Sequence, residues 1–476
     1  MANCSHHEIC GLDDQADQQA GRCILHSKRE SKSRSEFQDA LNAHLRKHTY
    51  NFAHFVFPFR ADFRSGLPGP ANFGYACFLE GGTFAQTTLS SGGNFRNAEF
   101  YGEADFQGVI FQGDVNFSGA KFAEQATFVG ATFHGRTTFL ETQFLKNVLF
   151  LNCRFESFAG FRNVTIQGST NFSLASFSKR AEFNFVTFGG DTLFQESRFE
   201  QGVDFRATVF KGRRAVFMLS QFRGYSVFSS RHLETEILPI FRGVEVNFRS
   251  VIIDPTEGIA FRGADFSECL LLETDLRKVE LTDVTWPKVG YKIVGQRIGV
   301  YDETVSRRQE SRPPWGRMER LYRELKQNYE DRRDHSRAAD FHYAEKEMRR
   351  MNPDTPLGLR VLLTTYWLLS GYSERYLRPL IWFLALLLGS SLGYMQCGLR
   401  LKEGAAVLRA ETWSISLDHL WPWAKTLFYS FRVMTLLRPE DLIPIGYSKA
   451  IHSAQSLLGP LFLGLFGLAI RQRLRR

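Results

Sequence analysis

The sequence predicts a mainly β chain: a solenoid of very short strands, then a helical hairpin and two transmembrane helices. Three observations predict it. Large apolar residues, mostly phenylalanine, recur every 11 positions from Phe73 to Phe205 and again from Phe78 to Phe210. From Pro313 the apolar spacing turns helical, with Met318, Leu321, Tyr322 and Leu325 at i, i+3, i+4 and i+7. Two stretches near the end, 376–397 and 450–470, are apolar over the length that a bilayer core requires.

Composition narrows the classes. A chain of 476 residues allows for about three domains. It carries 59 Lys+Arg against 50 Asp+Glu, and a formal charge of +9 can attract an anionic membrane or nucleic acid. The excess is uneven: residues 71–230 hold 14 basic and 13 acidic side chains, and the positive charge collects between Arg307 and Arg378 and in the tail "RQRLRR". The lipid bilayer is therefore an expected partner and nucleic acid is not. The seven cysteines are odd in number, and "MANCSHHEIC" lacks the apolar core of a secretory signal. Both points favour a reduced, cytosolic N-terminal part without a disulfide framework.

At the N-terminus, Cys4, Cys10, Cys23 and His26 are spaced C-x5-C-x12-C-x2-H. Thiolate and imidazole suit tetrahedral zinc, and C-x2-H has the tight spacing of a half-site. Four ligands with no open position imply a structural zinc ion. Chance clustering is the alternative, and His6 and His7 compete as ligands. "RSEFQDALNAHLRKHTYNFAHFVF" then reads as a short amphipathic helix leading into the repeat.

The repeat fits neither the helical period nor that of a strand. Its two interleaved series make a unit of five plus six residues. Two positions before the anchors sit small residues such as Ala104, Val109, Val115, Ala120, Ala126, Thr142 and Cys153. Positions i and i−2 share one face of an extended segment, so both point inward. Two units give 22 residues per coil, and Phe73 to Phe210 then makes about six coils stacked about 4.8 Å apart. Later the rhythm tightens to five, through Phe261, Phe266, Leu271, Leu276 and Leu281.

With "GADFS" and "ETDLR" on the page, the sequence resembles the pentapeptide-repeat family, whose motif is roughly A(D/N)LXX; the 11-residue stretch looks like a Phe-centred variant. The resemblance covers 52–286, with a weaker patch at "RHLETEILPI". It implies a right-handed quadrilateral β-helix with four short faces per coil. A known use of that family, mimicry of DNA against a topoisomerase, needs an acidic surface, and the neutral stretch here argues against it. Open ends need caps; "FVFPFRADFRSGLPGP" is expected to cover the first coil and "VTWPKVGYKI" the last.

Beyond Pro313, two helices broken at "EDRRDH" form a hairpin similar to one tetratricopeptide-like unit. His335, His342 and Glu345 lack a matching ligand set and read as a solvated and partly packed face. "PLGLRVLLTTYWLLSGYSERY" is apolar but short, and reads as a helix lying along the membrane surface. Arg375 and Arg378 enter the first span, and Arg471, Arg473, Arg475 and Arg476 follow the second. These flanks outnumber Arg400, Lys402 and Arg409 between the spans, which places both ends in the cytoplasm. The segment between the spans resembles the pore module of two-helix potassium channels: a helix near Leu420–Met434, a turn, then a spanning helix. Aligning "DLIP" with the run that follows a channel filter sets Thr435, Leu436, Leu437, Arg438, Pro439 and Glu440 on the filter, followed by Asp441. Both filter glycines are replaced. Stacked carbonyls need that backbone freedom, and Arg438 repels cations, so potassium selectivity is not expected.

The resulting order is a Cys3His zinc knob (1–35), a helical linker (36–51), the solenoid (52–286), a linker (287–312), the hairpin (313–352), an interfacial helix (353–375), the first span (376–397), an extracytoplasmic loop with a pore-helix-like segment (398–449), the second span (450–470) and a basic tail (471–476). No phosphate loop, nucleophile motif or convergent acid–base set points to an enzyme. Two readings stand. One is a scaffold, anchored in a bacterial inner membrane, that presents the solenoid to a protein partner. The other is a homo-oligomeric, channel-like protein gated through the rod.

Overall fold

The computed structural model describes residues 6–10, 22–28, 32–48, 50–234, 236–254, 256–290, 296–309, 313–402, 407–408, 420–437 and 442–474. The chain divides into two compact units, Met1–Arg317 and Met318–Arg476.

In the first unit the 22-residue period becomes four parallel sheets, two of eight strands and two of ten, wound as a β-solenoid of about 10 turns. Most strands are two residues long, ending one residue before a first-series anchor or on a second-series one, and pair in the register the repeat demands: Phe111 beside Phe133, Phe122 beside Phe144. Parallel pairing starts at Asn51↔Asn72 and ends at Asp265↔Thr285. Two residues after each first-series anchor the chain turns with φ in the left-handed region: Tyr75, Gln86, Asn97, Gly108, Gly119 and Gly130 occupy successive turns. Gly and Asn suit that region, whereas Tyr75 or Phe185 costs about 1 kcal/mol or more there.

The interior is phenylalanine packed on phenylalanine. Phe128 stacks nearly parallel on Phe106 (4.9 Å between ring centres) and Phe150 (4.8 Å). It meets Phe117 and Phe139 edge to face at 5.6 and 5.7 Å. Such geometries add about 0.5–1.5 kcal/mol per pair beyond burial. Where the small residue two before a second-series anchor is polar, it donates to a carbonyl of the neighbouring coil: Thr142 Oγ1 to Phe117 O (2.8 Å), Cys153 Sγ to Phe128 O (2.9 Å) and Ser197 Oγ to Phe172 O (2.8 Å). These buried hydroxyls and the thiol are thereby satisfied.

The ends depart from the sequence expectation. "FVFPFRADFRSGLPGP" is not a cap. Phe57 and Phe63 continue the stacks onto Phe78 (4.7 Å) and Phe84 (4.9 Å), and Phe52, just before it, stacks on Phe73 (4.8 Å), so these residues build the first coil. That coil is covered by residues 22–28 and a helix. The described N-terminal helices are α1 (His7–Cys10) and α2 (Arg34–Arg46). On α2, Phe37 lies edge-on to Phe57 (6.0 Å) and His44 to Phe52 (5.6 Å), so its apolar face closes the stack. The segment expected as a plain linker at 287–312 is also structured. Lys288–Val289 pairs antiparallel with Arg297–Ile298, and α3 (Tyr301–Gln309) follows. Buried Asp302 accepts from Leu271 N (2.6 Å) and Arg249 Nε (3.0 Å), and Glu303 from Arg297 Nη2 (2.8 Å). Trp286 lies edge-on to Phe266 at 5.2 Å. Charge pairing thus covers the last coil with residues whose spacing carries no repeat. The weak patch of the repeat is an antiparallel excursion, Arg231–His232 against Ile237–Leu238.

The second unit is helical. α4 (Trp315–Asp331), which begins just before it, and α5 (His335–Met351) share a core in which Phe341 lies against Tyr322 (6.2 Å) and Tyr329 (5.4 Å). Then come α6 (Leu357–Ser370), α7 (Leu377–Cys397), α8 (Leu420–Met434) and α9 (Ser448–Leu474). Two of them, α7 and Ser448–Arg471 of α9, are long and apolar enough to cross a membrane.

Candidate functional site

The helices α7, α8 and α9 meet through buried polar side chains, a set the sequence reading did not single out. Starting at the N-terminal half of α8, Thr426 Oγ1 lies 3.0 Å from Ser391 Oγ. One turn on, Tyr429 OH lies 3.1 Å from His452 Nδ1, and its ring is edge-on to Tyr394 at 5.0 Å. Tyr394 OH donates to Gln455 Oε1 (2.8 Å), and Gln455 Nε2 donates in turn to Ser430 O (3.2 Å). Ser430 Oγ donates to Leu387 O (3.0 Å) at the middle of α7. At the end of α8, Met434 packs with Phe383 and Phe462. A Cβ at Gly459 would stand 2.7 Å from Met434 Cα, so only glycine admits this approach.

Read in order, the partners of α8 move from the Cys397 end of α7 to its middle, and from the start of α9 to its middle. α8 therefore descends between the two long helices and stops halfway along them. The chain then returns. Leu442–Pro444 pairs antiparallel with Leu399–Leu401, directly after α7, and Val407–Leu408 pairs on the other side. Ser448 Oγ donates to Gly398 O (2.8 Å), joining the start of α9 to the end of α7. The signal for this network was present as hydroxyls, His452 and Gln455 at helical spacing inside apolar runs; which of them would meet depends on how the helices cross.

Of the residues mapped on a filter, Thr435, Leu436 and Leu437 are described. They end α8 in a left-handed turn: Leu436 has φ 59°, and Leu437 N donates to Arg432 O (2.8 Å). This bonding is that of a helix C-cap, usually made with glycine, and leucine costs about 1 kcal/mol or more there. Leu436 is 68% exposed within the single chain. Arg438, Pro439, Glu440 and Asp441 lie outside the described residues.

At the N-terminus, Cys23 and His26 come together. Cys23 Sγ is 3.2 Å from His26 Nδ1, and both residues are buried. Two ligands of a tetrahedral zinc with ordinary bond lengths stand about 3.6 Å apart, so the pair fits as a half-site. Cys4 and the side chain of Cys10 lie outside the described residues, and among the described residues no group of three or more His, Cys, Asp or Glu is disposed to hold a metal. The pair is not on a separate knob: Val56 N donates to Leu25 O (2.7 Å) and His26 is edge-on to Phe55 (4.9 Å), so it belongs to the cover of the first coil. Burial, with His6 adding to it, lowers the His26 pKa to about 4, leaving the neutral imidazole that a metal ligand requires. His6 stacks on His54 at 4.6 Å, an arrangement that spacing alone could not reveal.

These features describe a repeat solenoid joined to a helical unit with two membrane-length helices. A family model described as pentapeptide repeats (9 copies) matches residues 95–143, so this part of the solenoid is similar to pentapeptide repeats. Nothing among curated proteins or solved structures matches the chain.

Proposed function

We propose that the protein is a non-catalytic scaffold anchored in a bacterial inner membrane, which presents a right-handed pentapeptide-repeat rod to a protein partner in the cytoplasm. One observation carries the reading: a single chain joins a solenoid filled throughout with phenylalanine to two helices apolar and long enough to cross a bilayer. Such an interior leaves the outer surface as the working part of the rod. The arginines at the start of α7 and at the end of α9 favour cytoplasmic flanks for both. A structural zinc held by Cys23 and His26, with Cys4 and Cys10 completing the set, would fix the cover of the rod's first coil. The topology is tested with reporters fused after Arg476. Activity only outside the cytoplasm would refute it.

A second reading, a homo-oligomeric pore, draws on the half-length helix α8. If α7 and α9 span the bilayer, α8 ends near the midplane with its last carbonyls and an exposed Leu436. Irregular backbone at that depth is tolerated only when buried in protein or lining water. Further copies around an axis supply that cover. The link from Leu437 to Leu442 reaches at most about 18 Å, which suffices to return across half of a core about 30 Å thick. Proteoliposomes decide between the readings: a pore conducts, and Arg438→Ala raises its cation leak. Liposomes equally tight with both proteins, at confirmed incorporation, leave the scaffold.

A further inference from the structure

Between the end of α5 and the outer side of α6 lies a cavity of about 500 Å³. Its lining is mixed: Arg350, Arg360, Thr364 and Thr365 are polar, and Met351, Leu357 and Val361 apolar. Thr364 Oγ1 already donates to Arg360 O (2.7 Å), so the arginines are the donors available to a ligand. Arg350 is held in place by packing: its guanidinium lies 4.7 Å from the ring centre of Trp367. Its ion pair with Glu347 is long, 3.7 Å, and its buried Nε has no acceptor. Arg360 pairs with no carboxylate among the described residues.

The rest of α6 is apolar and uncovered, with Leu357 74% and Leu362 63% exposed. The helix sits at the level where α7 begins. Arg378 Nη1 donates to Trp367 O (2.6 Å), and Trp382 Nε1 donates to Leu368 O (3.1 Å). A ligand that suits this place carries a negative charge for two guanidinium groups and a hydrocarbon chain for the adjoining leucines and valine. Arg binds phosphate through paired donors, and an apolar helix face at an interface is covered by acyl chain.

We infer that the α5–α6 cavity binds the phosphate of an anionic phospholipid, whose acyl chains lie along the exposed face of α6. The inference rests on the reading that α7 enters a bilayer, and that reading is checked separately: alkaline carbonate must fail to extract the protein from membranes. The site itself is tested on full-length protein in neutral detergent by thermal melting with added phosphatidylglycerol, phosphatidylcholine or inorganic phosphate. Phosphatidylglycerol should raise the melting temperature and the other two should not. Arg360→Gln, which breaks no ion pair, should weaken the phosphatidylglycerol response on the order of tenfold in concentration while leaving the lipid-free melt unchanged. Arg400→Gln, at the far end of α7, should retain the response. Equal effects of the two lipids, an unaltered response in Arg360→Gln, or a loss shared by Arg400→Gln would overturn the site. A stabilisation matched by inorganic phosphate would make it a site for free phosphate and overturn the lipid assignment.

Discussion

Replacing Phe128 with alanine tests the interior of the solenoid directly. Its side chain is fully buried, stacked on both sides by Phe106 and Phe150 and met edge-on by Phe117 and Phe139. Removing a buried phenyl ring costs about 3–5 kcal/mol in transfer and cavity terms. Here the loss should lie toward the upper end. The parallel pairing holds each coil at a fixed spacing, so neighbours cannot collapse into the gap, and six aromatic contacts go with the ring. A loss of about 4 kcal/mol corresponds to a fall in Tm of about 6 °C for a unit of this size, at about 2.1 cal/mol/K of unfolding entropy per residue. The assay is thermal melting of residues 1–317, followed by circular dichroism, with Tyr101→Ala as control. Tyr101 is 46% exposed and donates only to Glu99 Oε2 (2.9 Å), so its removal should cost about 0.5 kcal/mol or less. If Phe128→Ala loses no more stability than Tyr101→Ala, the stacked interior is not what holds the coils together.

Three further outcomes are expected. Burial, opposed in part by the hydrogen bond from Nε2 to Asn51 O (3.0 Å), lowers the pKa of His44 below its ordinary value. In acid the unfolded chain therefore binds the proton more readily than the folded one. Stability is full above the ordinary histidine range and falls as pH drops through it. The protection factors of α2 amides, which compare the observed exchange with an intrinsic rate that itself slows as pH falls, should decrease from about pH 7.5 to about pH 5.5, and should not in His44→Gln. In the helical unit, Gly459→Ala sets a methyl group against Met434 Cα and should cost about 1–3 kcal/mol, read as a lower melting temperature in detergent. Gly464→Ala, with no atom within 4 Å of the new carbon, should be near neutral, and equal effects would contradict the close approach. Elemental analysis of metal-replete full-length protein should find one zinc per chain, weakened sharply in Cys23→Ser; no zinc in the wild type rules the metal out.

The solenoid was legible in the sequence because its period is the structure. Each coil repeats its neighbour's contacts, so one 11-residue spacing specifies strand position, register and interior at once, as Phe111 beside Phe133 illustrates. The two membrane-length helices were legible for a similar reason: length and apolarity are local properties of 376–397 and 450–470. The ends of the rod were not. α2 covers the first coil through Phe37 and His44, and α3 covers the last through Asp302 and Glu303, by contacts made once, which leave no recurring signal. Likewise, the sequence placed a helix at Leu420–Met434, but only the packing against Gly459, Phe383 and Phe462 decided that it stops halfway along its neighbours. The meeting of Cys23 with His26 followed from their spacing, whereas their seat on Phe55 did not. Local periodicity fixes which side chains share a face. Which faces then meet is settled by burial and pairing between segments distant in the chain, and that information exists only once the chain has folded.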